Sequence, residues 1–245
     1  MNYPRLNHVL HWVDHQTESA AQGVAYRSRE LLPKELDAYT AAGGYDLRFL
    51  IRDIGYPEDP VCVSHHPGAL AAHQDAGRLV LLRHRSGPAD FAGGYNAGVV
   101  HARAALIDAR TQGYPEHLPL LFTCEARPRG GPVDYLRGAA AVLGAERTWL
   151  AGQRDVVHLA QDEGAAGGFL LLDGGDPREG IALSRRPDGH IYPGRVRADL
   201  IDCHVPLSVF DRGTVLEQLA ARLDLSREGV HEALLHARAG ARACA

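Results

Sequence analysis

The chain has 245 residues, enough for one substantial core and close to the size of many single-domain α/β barrels. Hydrophobic residues make up 45% and charged residues 23%, a globular composition, and a formal net charge of −4 gives no field that would draw in nucleic acid or an anionic membrane. No apolar run reaches the roughly 20 residues of a membrane span, and the start lacks the basic leader and apolar core of a signal peptide, so a cytoplasmic location is expected.

Residues 1–22 are mixed and histidine-rich and read as an N-terminal arm. From residue 23 short apolar runs alternate with amphipathic stretches. A strand is predicted over Gly23–Ser28, then a helix over Pro33–Ala42 with Pro at its start and Gly43-Gly44 at its end. Leu47–Asp53, Arg78–Arg85 and Leu118–Glu125 read as further strands. Helices Pro67–Ala76 and Tyr95–Gln112 separate them, closed by Gly77 and Gly113. Next come a helix over Val133–Leu143, a strand over Arg147–Gly152 and a helix over Gln153–Glu163. Strands Gly168–Asp173, Ile181–Arg186 and Ala198–His204 complete a set of eight. Apolar strand interiors and helical crossovers imply a mainly parallel sheet, and eight strands fit a (β/α)8 TIM-like barrel over residues 23–211. The segments Gly174–Gly180 and Pro187–Arg195 are too short and polar for crossover helices, so the last strands are expected to be irregular and partly antiparallel. Thr214–Leu223 and Arg227–Ala239 are amphipathic, which predicts a C-terminal helical extension over 212–245.

Polar residues at strand ends are the functional signal, because a parallel barrel gathers those ends on one rim. Tyr26, Arg52 and Asp53, His84 and Arg85, Glu125, Asp173, Arg185, and Asp202 with His204 occupy such ends. Glu125 follows the apolar LLFTC, a setting in which burial turns a carboxyl into an acid or base near neutral pH. Asp53 and Asp202 are its candidate catalytic partners; Arg52, Arg85, His84, Asp173, Arg185, His204 and Tyr26 are candidate substrate-binding residues. Glycosidic hydrolysis uses two carboxylates, about 5 Å apart for retention and wider for inversion. An alternative role for Glu125 is an ion pair with Arg52 or Arg85. The RPRGGP segment at 127–132 reads as a lid. His65-His66 read as solvated or capping, and Trp149 as core. Neither GxxxxGK[ST] nor GxGxxG stands at a strand–helix junction, no GxSxG is present, and the four cysteines form no CxxC pair, so no cofactor is expected.

Several pieces resemble a bacterial glycoside-hydrolase-like TIM-barrel family of uncharacterised function: FLIRDIG at 49–55, the long stretch from YNAGVVHARAAL to LPLLFTCEA at 95–126, DYLRGAAAVLG at 134–144 and ADLIDCHVP at 198–206. The resemblance runs from about Gly23 to Phe210. It implies acids at strand ends on the rim. Glu125 stands where the family usually has Asp, and Asp202 at its final-strand Asp. Tyr26 stands where a first-strand acid would be, Asp53 replaces an aromatic after the Arg, and Asp173 falls where an aromatic or amide is usual.

Three readings follow. The first is a glycoside hydrolase-like protein acting on a glycan or glycoside through rim carboxylates. The second is a noncatalytic barrel that binds carbohydrate or protein. The third is a metal-dependent hydrolase using His84, His204, Asp53 and Asp202, although no compact ligand motif is present and no resident metal is expected. The expected partner is a small-molecule or glycan substrate, without nucleic acid or membrane, and oligomeric state is not legible.

Overall fold

Five strand–helix units are followed by three strands with no intervening α-helix among the described residues of the computed structural model, which are 21–26, 30–54, 68–124, 131–174 and 179–205, with 207 and 210. The elements are β1 (Gln22–Tyr26), α1 (Pro33–Ala41), β2 (Leu47–Ile54), α2 (Ala69–Asp75), β3 (Leu79–Ser86), α3 (Pro88–Ala92), α4 (Gly94–Thr111), β4 (Leu120–Cys124), α5 (Pro132–Leu143), β5 (Thr148–Gly152), α6 (Arg154–Asp162), β6 (Gly168–Leu171), β7 (Leu183–Ile191) and β8 (Ala198–Cys203). All eight predicted strands form, and each predicted helix from 33 to 163 forms within a few residues of its expected bounds. The short helix α3 was not foreseen. The N-terminal arm to residue 20, His65-His66, Glu125 with most of RPRGGP, and the C-terminal extension lie outside the described residues.

The strands close into a barrel in sequence order. Strands β1 to β7 are parallel to their neighbours, whereas β8 is antiparallel to both β7 and β1. The closed eight-stranded α/β barrel is the expected one, and its mixed character enters where the sequence placed the irregular, partly antiparallel strands, with β8 reversed and β7 still parallel to β6. The reason is the length of the last connection. Residues 192–197 join β7 to β8, and a parallel return needs a crossover of about a dozen residues or more.

Register and alternation fix which side chains face inward, because paired Cα positions carry their side chains to the same side and successive residues alternate. His84 of β3 lies against His101 of α4, and the Ser86 hydroxyl meets the Tyr135 hydroxyl of α5 at 3.0 Å. That set therefore faces the helices, and the interleaved set faces the lumen. At the lower end of the lumen, aromatic rings take the place of side chains their neighbours lack. A Cβ on Gly23 would lie 2.4 Å from the Phe49 ring, and one on Gly168 would lie 2.1 Å from the Trp149 ring. The next lumen layer upward is apolar, built from Ile51, Leu121, Leu170 and Ile201, all fully buried. A packed interior of this kind is the norm for closed eight-stranded barrels.

Outside the barrel, α4 and α5 approach backbone to backbone. A Cβ on Gly98 would fall 1.9 Å from the Tyr135 carbonyl oxygen, and one on Gly138 would fall 2.0 Å from the Tyr95 carbonyl oxygen. Behind this crossing a polar cluster joins the helices to the sheet. His101 Nδ1 is 2.8 Å from the Tyr135 hydroxyl, and the Phe91 ring stacks on Tyr135 at 4.1 Å. Burial, reinforced by the neighbouring His101 ring, pushes the His84 imidazole down to about 4.

Two outcomes are expected. Gly98→Ala and Gly138→Ala each force the helices apart and lower stability by about 1–3 kcal/mol, measured by urea unfolding; unchanged midpoints would mean the backbones are not in contact. The unfolded imidazole takes up its proton near pH 6.5 while folded His84 resists it, so His84 contributes a loss of stability as pH falls from about 6.5 to about 4. That loss amounts to about 3 kcal/mol at most. Thermal midpoints of His84→Gln should vary less across this window than those of wild type, and parallel profiles would remove His84 as the cause.

Candidate functional site

Because β8 runs against the others, its beginning, not its end, joins the C-terminal ends of β1 to β7 on one rim. The lumen below that rim carries two polar layers. The lower comes from the odd-numbered strands: Ala25, Arg83, Ala151 and Arg185. The upper comes from β2, β4 and β8, with Asp53, Thr123 and Asp199, and from Leu172 just beyond β6. Two alanines alternate with two arginines in the lower layer, and the small side chains leave room for the long ones. Arg83 and Arg185 stand on opposite sides of the barrel, each beside an aspartate of the layer above.

The two pairs differ. Arg83 Nε donates to Asp53 Oδ1 at 2.5 Å, with only 2% and 6% of the side chains exposed. On the other side, Arg185 Nη1 lies 3.8 Å from Asp199 Oδ2, with 37% and 23% exposed. The second pair is loose because Asp199 is already engaged: its Oδ1 lies 2.8 Å from His190 Nδ1. His190 Nε2 in turn lies 3.0 Å from Arg197 Nη2. A guanidinium can only donate, so Nε2 accepts and the ring proton sits on Nδ1, donating to Asp199. Asp199, His190 and Arg197 thus form a relay of hydrogen bonds at the mouth. Across the lumen, Arg85 pairs in register with Thr123, whose hydroxyl is buried and has no hydrogen-bond partner among the described residues.

Of the residues singled out from sequence, Asp53, Arg85 and Arg185 therefore share the mouth. Tyr26 and Arg52 lie on the outer face. There the Tyr26 hydroxyl donates to Glu30 Oε1 at 3.1 Å and Arg52 Nη2 donates to Glu30 Oε2 at 2.8 Å. Burial raises the Tyr26 hydroxyl above its ordinary value. These contacts fasten Glu30, on the connection toward α1, to the strands. His84 faces α4. Asp173 is exposed beyond β6, and its Oδ2 accepts the backbone N–H of Arg154 at the first turn of α6, where a carboxylate is favoured. Asp202 and His204 lie toward the far end of the barrel. Asp202 takes two hydrogen bonds from Arg186, at 2.9 and 3.0 Å, and one at 3.4 Å from Gln22 at the start of β1. His204 Nε2 is 2.8 Å from the Ser184 hydroxyl. Glu125, the next residue after Cys124, lies outside the described residues.

The expectation that Asp202 and His204 meet Asp53 on one rim is corrected by the reversal of β8. The set His84, His204, Asp53 and Asp202 does not converge, and among the described residues no group of three or more His, Cys, Asp or Glu is placed to hold a metal ion. Sequence reasoning missed Arg83, Thr123, His190, Arg197 and Asp199. Arg83 had a signal, a charge at an alternate position inside the apolar run LVLLRHR. Asp199 had one too: the short, polar connection before the last strand implies a reversal, which would have moved attention from the end of ADLIDC to its beginning.

No family model matches the chain, and no curated protein matches it. Among the described residues no helix is long and apolar enough to cross a membrane. Solved structures do match. The Tat-secreted protein Rv2525c of Mycobacterium tuberculosis aligns with a TM-score of 0.66 at 19% identity, over 76% of this chain and 96% of that one. An uncharacterised protein of B. stearothermophilus aligns with a TM-score of 0.60 at 16% identity, over 78% and 99%. GHIP of Streptococcus pneumoniae, a glycosyl hydrolase 25, aligns with a TM-score of 0.52 at 11% identity, over 80% and 89%. At such identities it is the fold that is shared, a closed eight-stranded α/β barrel.

Proposed function

We propose that this protein is a glycoside hydrolase-like barrel that acts on a glycan at the lumen mouth. The observation that carries the reading is the buried Asp53–Arg83 pair. Taking two charges out of water costs several kcal/mol per ion, and an apolar pair of similar volume often serves stability as well or better. A buried charged pair kept directly above an apolar lumen layer, at the rim where barrels of this kind do chemistry, favours a functional role. An ion-paired carboxylate suits the nucleophile or base. Glu125, directly after β4 in sequence, is our candidate for the acid, and Asp199 replaces Asp202 as the second candidate partner. The fold supports the same direction: similar structures include the spore cortex lytic enzyme SleM of Clostridium perfringens and the pneumococcal glycosyl hydrolase 25. We also infer that the chain belongs with the bacterial glycoside-hydrolase-like barrels its sequence pieces resemble. As for location, the cytoplasmic expectation rests on the N-terminal sequence, and the likeness to a Tat-secreted protein argues for export.

One observation favours the second reading, a noncatalytic glycan-binding barrel. Both described carboxylates of the mouth are held by basic side chains, Asp53 by Arg83 and Asp199 by Arg185 and His190.

Hydrolysis of a glycan panel that includes peptidoglycan fragments separates the two. Product from wild type, and at least about 100-fold less from Glu125→Gln, is the expected result. Full activity in Glu125→Gln would take that residue out of the mechanism, and binding without turnover by wild type would favour the second reading. The pair itself is tested by stability. Asp53→Ala should cost about 3–5 kcal/mol by leaving Arg83 uncompensated, whereas Asp53→Leu with Arg83→Met should recover most of that loss. A double variant as unstable as the single one would make the pair structural.

A further inference from the structure

Among the described residues the mouth carries more basic than acidic side chains. Its described lumen-facing side chains are Arg83, Arg85, Arg185 and Arg197 against Asp53 and Asp199, with His190 between Asp199 and Arg197. The surplus is not spread evenly. Arg83 is sealed against Asp53 at 2.5 Å, whereas Arg185 is half-buried and holds its aspartate only at 3.8 Å. Arg197 is exposed and spends one donor on a neutral ring nitrogen. A guanidinium carries five donors, so most of the donors on this side face the opening. Asp199 takes up only part of them: His190 holds its Oδ1 at 2.8 Å, and its Oδ2 stands 3.8 Å from Arg185 Nη1. Opposite, the Thr123 hydroxyl is 1% exposed, faces the lumen and has no hydrogen-bond partner among the described residues. Two forked cations on one wall and an unsatisfied hydroxyl on the other describe a cleft for an oxygen-rich, negatively charged group.

We propose that the β7–β8 side of the mouth is an oxyanion subsite in which Arg185 and Arg197 select a glycan bearing a carboxylate. This rests on the glycan reading above and adds the charge of the ligand to it. Asp199 and His190 are positioning residues here: His190 bridges Arg197 and Asp199, and Asp199 holds Arg185 only loosely, at 3.8 Å. Lysine would not serve equally, since a single ammonium lacks the planar fork that matches a carboxylate with two parallel bonds.

The test is calorimetric binding of three probes to the full chain at low salt. The first probe is the disaccharide N-acetylglucosaminyl-N-acetylmuramic acid, whose lactyl group bears a carboxylate; the second is its methyl ester; the third is malonate. Wild type should bind the free acid at least about tenfold more tightly than the ester. Arg185→Gln and Arg197→Gln should each reduce that preference to within about twofold, the loss falling mainly on the free acid. Equal binding of acid and ester by wild type would overturn the subsite and leave the glycan reading standing. Malonate binding that depends on Arg185, with neither disaccharide bound, would support the subsite and overturn the glycan reading. Absence of binding by all three probes would overturn both.

Discussion

Closure of the sheet is the constraint on which the site depends. A strand edge exposes unpaired N–H and C=O groups, and only full closure removes every edge. Seven parallel strands leave β7 and β1 as such edges. The chain closes them with one strand entered from the rim, because residues 192–197 are too few to return to the other end first. The strand that seals the barrel must then run downward. Its first residues arrive beside the carboxyl ends of the others, and its last residues are carried away. Asp199 is thereby set level with Asp53 and Thr123, and Asp202 is committed to Arg186 and Gln22 on the outer face. The two aspartates stand three positions apart, and strand direction decides which of them lies at the mouth.

The second constraint is volume. A closed eight-stranded barrel has just enough interior for side chains to fill it. Below, Phe49 and Trp149 consume that space, and Gly23 and Gly168 concede theirs to the rings. The apolar layer of Ile51, Leu121, Leu170 and Ile201 then seals the lumen from beneath. Only above this seal can ionisable groups sit without stranding charge in an apolar interior. Arginine fits there because Ala25 and Ala151 yield the room its length needs. The apolar floor and the small neighbours are thus preconditions for the charged layers.

Much of this architecture is legible in the sequence because strand and helix periods leave separate traces. LVLLRHR, LPLLFTCE and GFLLLD read as buried strands, and the glycines at 77, 113, 144 and 164 end helices where expected. The site was less legible for two physical reasons. Proximity to a strand end does not say which face a side chain takes: Arg52 and Asp53 are neighbours, yet one is bound to Glu30 outside the barrel and the other to Arg83 within it. A period of two separates them only once the inward face is known, and that is set by which residues the helices cover. His84 shows the same ambiguity, since a histidine at a strand end serves equally well as a rim ligand or as a partner for His101. The other reason is direction. Apolar periodicity is the same read up or down a strand, so ADLIDC offers Asp199 and Asp202 on equal terms, and only the short connection before it carries the distinction.

What separates the two arginine–aspartate pairs is a single histidine. Arg83 and Arg185 occupy opposite positions of one layer, each with an aspartate on an adjoining strand. With nothing else competing, both would be expected to close to hydrogen-bonding distance, as Arg83 does. His190 draws one oxygen of Asp199 away and is itself held in orientation by Arg197. The closed pair is rigid and nearly neutral, and it lies below reach of solvent. The open pair retains charge and hydrogen-bonding capacity at the surface. A binding cleft needs both properties: a fixed wall against which a ligand is registered, and a wall whose donors remain available to recognise it. On the proposed glycan reading, the difference between 2.5 and 3.8 Å gives the fixed wall to β2–β3 and the recognising wall to β7–β8.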